Sequence, residues 1–73
     1  MTNLQIIRNR VGISQGELSK KSGVSVRMIQ HYEQGSKNID GAKIETLAAL
    51  SIALGCGIRE IMEDPRKVLR ARL

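Results

Sequence analysis

Arg27 and Gln30 stand three residues apart in the run VRMIQHYEQ, with Val26 before them and His31 directly after. On a helix these spacings turn Val26, Arg27, Gln30, His31 and Gln34 to one side, while Met28, Ile29 and Tyr32 turn to the other. The first set suits base edges in a major groove. An arginine can donate two hydrogen bonds to guanine O6 and N7, a glutamine can pair with adenine N6 and N7, and a valine can touch a thymine methyl. Upstream, Gln15 opens another helical segment whose unpaired backbone amides suit a phosphate. Ser25 and Lys37, at the two ends of the run, are candidates for the same backbone contact.

Other chemistries are poorly supplied. His31 and Cys56, one residue of each type, fall short of the three or four ligands of a zinc site, and a lone Cys closes no internal disulfide. No metal and no cofactor is expected. Ser14, Ser19, Ser22 and Ser25 lack a His–acid pair arranged as a triad, so the chain is not expected to be an enzyme. Cys56 between two glycines reads as a small apolar residue.

Charge points the same way. The 73 residues carry 12 Lys and Arg against 7 Asp and Glu, a formal net charge of +5. Residues 1–38 hold six cations and two acids, residues 39–65 hold two and five, and residues 66–73 hold four and none. A polyanion would meet the first block and avoid the second. No apolar run approaches the ~20 residues of a membrane span, so no membrane role is expected. Residues 1–10 lack the apolar centre of a signal peptide, and a cytoplasmic, nucleoid-associated location is expected.

Five helical segments must position these groups, and no strand is expected. Leu4, Ile7 and Val11 repeat at helical spacing until Gly12 stops them. Ser14 and Glu17 form the S-x-x-E capping pattern of a second helix, weakened by Gly16 in its first turn and closed by Gly23 after Ser22. Ser25 caps the third, Val26–Gln34, and Gly35 closes it. Asn38 and Asp40 compete to cap the fourth, whose Ile44, Leu47, Leu50 and Leu54 recur at three and four. The fifth covers 58–63, with Ile58, Ile61 and Met62 inward and Pro65 as its stop. Beyond it, Val68, Leu69 and Leu73 form an amphipathic stripe in the basic tail, expected to dock near Ile61 and Met62 or on a second copy. The domain is therefore assigned to 1–65 and the tail to 66–73.

Segments two and three, joined by Ser22-Gly23-Val24-Ser25, have the layout of a helix-turn-helix. With Leu4, Ile7, Arg8, Gly12, Ser14-Gln15, Leu18, Gly23-Val24-Ser25, Ile29, Glu33, Gly35, Leu47, Leu50, Leu54-Gly55 and Ile61, the chain resembles the lambda-repressor-like, Cro-type helix-turn-helix family, often called XRE-type. The stretch YEQGSKNIDGAKIETLAAL resembles a subgroup with a longer loop between helices three and four. Ser19 and Ser51 replace the family's usual Ala, Gly16 replaces a good helix former, and Gly57 replaces an N-cap Ser or Thr.

The resemblance implies an all-α, compact bundle of five short helices. It implies that Gln15 contacts the DNA backbone, that Val26, Arg27 and His31 face base edges with Gln30 nearby, and that Arg8 and Glu33 pair between helices one and three. The expected function is sequence-specific binding of double-stranded DNA by a transcriptional regulator, a repressor working as a homodimer on a palindromic operator. The alternative is a protein-interaction module that keeps the fold as a scaffold, such as an antitoxin-like partner.

Overall fold

The computed structural model describes residues 1–64 and Arg66. It is all-helical: α1 (Asn3–Val11), α2 (Gln15–Ser22), α3 (Val26–Gln34), a 3₁₀ turn (Ile39–Gly41), α4 (Ile44–Leu54) and α5 (Ile58–Ile61). Isolated helices of this length are unstable in water, so their ends and their packing decide whether they form.

The ends are well specified. Thr2 Oγ1 accepts the Gln5 N–H and opens α1. At α2, Ser14 Oγ accepts the Glu17 N–H at 3.0 Å while the Glu17 carboxylate accepts the Ser14 N–H at 3.1 Å, a reciprocal capping box. Ser25 Oγ accepts the Met28 N–H and opens α3. Asn38 caps the 3₁₀ turn rather than α4, its Oδ1 accepting the Asp40 N–H at 2.9 Å. The fourth helix starts at Ile44 behind Lys43, with no side-chain cap. At α5 the Gly57 N–H is taken by Glu60, the half of a capping box that survives without an N-cap side chain.

Asp40 does not cap α4 either. Its carboxylate accepts the N–H groups of Glu63 and Asp64 at 2.8 and 2.9 Å. Asn3 Nδ2 takes the Met62 carbonyl at 2.8 Å. These contacts capture the backbone groups that a longer helix would use, so α5 ends at Ile61 instead of reaching residue 63. The expected stop at Pro65 and the stripe of Val68, Leu69 and Leu73 lie outside the described residues.

The core is aliphatic. Leu4, Leu18, Ile29, Leu50 and Ile61, one from each helix, are fully buried, and Tyr32, Ile39, Leu47, Leu54 and Met62 complete it. The second helix packs on α3 and α4, and α1 packs on α3, α4 and α5. Ile61 and Met62, the side chains near which the tail is expected to dock, are buried, and residues 67–73 of the tail lie outside the described residues. Ile44, first of the apolar residues that recur along the fourth helix, is 58% exposed. The buried stripe of α4 runs through Leu47, Leu50, Ser51 and Leu54, and Ile44 precedes it in the first turn. Ser51 satisfies its buried hydroxyl on the Ala48 carbonyl at 3.0 Å.

Two glycines of α2 predict opposite responses to one chemical change. At Gly16 the backbone is helical and a Cβ would meet nothing nearer than Ser14 Oγ at 3.8 Å, so Gly16→Ala is expected to stabilise by up to ~1 kcal/mol. At Gly23 the space is open but φ is +77°, so Gly23→Ala is expected to cost about 1–2 kcal/mol through the backbone alone. Urea unfolding of the two variants checks both signs. Glu17 supplies a pH test. The Ser14 N–H, then the Ser14 hydroxyl, hold its carboxyl below the usual range. A folded pKa below the unfolded one contributes stability above the unfolded value of about 4.3 and loses it as pH falls through the folded value. Urea midpoints of wild type and Glu17→Gln should differ at neutral pH and converge in acid.

Candidate nucleic-acid interface

The turn between α2 and α3 fixes how α3 is presented. The Gly23 N–H closes α2 on the Ser19 carbonyl at 2.8 Å, in the left-handed conformation. The Val24 N–H then finds Ser22 Oγ at 3.1 Å, and Ser25 starts the next helix. Ile29, Tyr32 and Glu33 are the buried side of α3. On the opposite side Arg27, Gln30 and Gln34 are exposed, Val26 is 37% exposed and His31 is half-buried. The division of α3 into faces follows the helical period, so Val26, Arg27, Gln30 and His31 share one accessible surface.

Beneath that surface lies a charged network. Arg8 grips Glu33 with two parallel hydrogen bonds, Nε to Oε2 at 2.7 Å and Nη2 to Oε1 at 3.0 Å, and its Nη1 donates to the Ile13 carbonyl at 2.8 Å. The side chains are 12% and 2% exposed. The hydrogen bonds that Arg8 donates to Glu33 raise the Arg8 pKa; burial opposes them and the Glu33 charge adds to them. Gln15 Nε2 donates to Glu33 Oε1 at 3.0 Å, and Gln15 Oε1 accepts a longer bond from Gln30 Nε2 at 3.5 Å. The Gln15 amide, which the resemblance assigns to the DNA backbone, makes both of these contacts within the domain.

The remaining candidates separate by what already holds them. Ser25 Oγ is occupied as an acceptor by its capping bond, which leaves its proton. Lys37 is exposed just past α3, and its N–H closes on the His31 carbonyl at 3.2 Å. The His31 ring is anchored by Ser36, with Nδ1 and Oγ 2.8 Å apart, while the Ser36 hydroxyl donates to the His31 carbonyl at 3.3 Å. Nδ1 is thus engaged by Ser36, and Nε2 is the ring nitrogen left for the outside. Sequence reasoning missed Ser36, and the signal was faint: a serine in the turn just beyond a helix C-terminus, five residues after a histidine. Among the described residues no cluster of three His, Cys, Asp or Glu can hold a metal. Burial, then Glu60, pushes the Cys56 thiol up, away from reactive thiolate. Among the described residues no helix is long and apolar enough to cross a membrane.

Compared with known proteins, the chain is matched by a helix-turn-helix family model over residues 4–61, most of its length. No curated protein and no solved structure gives a significant match.

The burial of the ion pair yields a stability prediction. Glu33→Ala strands the Arg8 guanidinium and is expected to cost about 3–5 kcal/mol. The double replacement of Arg8 by Met and Glu33 by Leu removes both charges and should cost less than that single change. Urea denaturation of the singles and the double decides it, and small additive losses would mark the pair as unimportant.

Proposed function

The chain belongs to this XRE-type helix-turn-helix family of DNA-binding transcriptional regulators, and from that premise we propose that it is a repressor that binds as a homodimer to a palindromic operator. The observation that carries the reading is the accessible face of α3, where Val26, Arg27, Gln30 and His31 stand together over a rigid, paired base. In this reading Arg27 takes guanine O6 and N7, Val26 packs on a thymine methyl, and Gln30 and His31 contact neighbouring bases. Ser25, Lys37 and the first amides of α2, at Gln15, take phosphates.

A single half-site contacted by one short helix carries little specificity. Two copies related by a two-fold axis read two half-sites, about 34–36 Å apart, on one side of the duplex. Such a dimer represses by occupying the operator. The charge pattern supports the docking direction, because the basic first block contains α1 to α3 and the acidic block contains α4 and α5. The scaffold alternative has less in its favour, since Arg27 keeps a cation on the outward face of α3 where a protein scaffold needs none.

Selection from random duplexes, followed by competition binding, tests this function. Wild type should enrich an inverted repeat. Arg27→Ala should cost ~1–3 kcal/mol on the selected site and relax the preference at one base pair. Lys37→Ala should weaken selected and scrambled duplexes about equally. Equal losses on both duplexes for Arg27→Ala would remove its reading role, and sedimentation equilibrium with the selected duplex gives the stoichiometry.

A further inference from the structure

Arg8 can only donate, and it places hydrogen bonds on both Glu33 oxygens, at 2.7 and 3.0 Å, so both oxygens act as acceptors. The amide of Gln15 must therefore turn its NH₂ toward Glu33 Oε1, 3.0 Å away. The reverse orientation would set two acceptor oxygens against each other. Gln15 Oε1 is then left on the far side, where it accepts from Gln30 Nε2 at 3.5 Å. At that length the bond contributes little energy, but it has a direction. One N–H of Gln30 is committed to Gln15, and Oε1 and the second N–H remain for an outside partner.

We infer that Gln15 is a positioning residue that sets the hydrogen-bond polarity of Gln30, so that Gln30 selects adenine; this inference rests on the base-reading role proposed above. Adenine presents one acceptor, N7, beside one donor, the N6 amine, and the free half of Gln30 is its complement. Guanine presents two acceptors, O6 and N7, and asks for two donors where one N–H is already engaged. Without the tether, the Gln30 amide can rotate by half a turn and offer either end. The hydrogen bonds run in series toward the base: Arg8 donates to Glu33, Glu33 orients Gln15, and Gln15 orients Gln30.

The test compares wild type, Gln30→Ala and Gln15→Met in selection from random duplexes. Methionine keeps the length and apolar stem of Gln15 and removes its amide. Gln30→Ala should erase the preference at one base pair and so identify the position Gln30 reads, which in wild type should be adenine. Gln15→Met should lower the adenine preference at that pair by roughly tenfold and leave the pair read by Arg27 unchanged. In the DNA-free protein, nuclear magnetic resonance order parameters of the Gln30 side-chain amide should fall in Gln15→Met. If that variant does not fold, Gln15→Asn, with the same amide on a shorter stem, takes its place in both measurements.

Full adenine preference in the Gln15 variant overturns the inference. So does an equal loss on every duplex, the signature of a phosphate contact, or a selected base other than adenine at the Gln30 position. A Gln30 amide equally mobile with and without the Gln15 amide overturns it too. A wild-type chain that selects no sequence at all overturns the base-reading role itself and this inference with it, whereas the preceding outcomes leave base reading by Arg27 standing.

Discussion

The Glu33 carboxylate is almost wholly removed from water, and the structure around it is arranged to make that tolerable. Desolvating a charge costs several kcal/mol, which is offset when every lone pair meets a well-placed donor. Glu33 receives two donors from Arg8 and one from Gln15, while Arg8 spends its remaining nitrogen on the Ile13 carbonyl. Those four residues belong to α1, the turn after it, the start of α2, and α3. The pair therefore fixes three segments against one another in a way that apolar contact does not. A buried Leu or Ile contributes ~1.5–3 kcal/mol without direction, and a neighbouring helix can rotate a little at small loss. A bidentate arginine–carboxylate pair loses its geometry under the same rotation.

That division of labour suits a core with one aromatic ring. Tyr32 is buried beside aliphatic side chains, and most of the packing is done by Leu and Ile, which fill space without specifying angles closely. Directional contacts appear where angles matter. Asp40 and Asn3 hold the chain beyond α5 against the 3₁₀ turn and α1, and in the Ser22–Ser25 turn both serine hydroxyls accept backbone N–H groups. With helices of 4 to 11 residues, such end contacts decide where each element stops.

Much of this could be read from the residues. Helical periodicity gave the five segments, and Gly12, Gly23, Gly35 and Gly55 marked ends that the backbone closes in the left-handed region. The two faces of α3 followed from the same period, because the buried and polar residues alternate cleanly there. The early stop of α5 was hidden because it depends on a partner distant in sequence: Asp40 and residues 63 and 64 are more than twenty positions apart. Local propensity favoured Asp40 as a cap, and a tertiary contact claimed it. The contact between Gln15 and Glu33 was hidden likewise, since the two lie eighteen residues apart.

The contacts made by the four outward side chains of α3 follow their chemistry. Val26 neither donates nor accepts, and Arg27 can only donate, so neither has a polarity that needs setting. Among the described residues Arg27 has no side-chain hydrogen bond or ion pair within the domain, consistent with a group held ready for an external acceptor. Gln30 and His31 are different, because each can present a donor or an acceptor at the same place. These are the two that the domain ties down, Gln30 through Gln15 and His31 through Ser36. In both cases the anchor engages a nitrogen: Nε2 of Gln30, whose Oε1 and second N–H stay open to the outside, and Nδ1 of His31, whose Nε2 stays open. Side chains already oriented in this way lose less entropy when a ligand orders them.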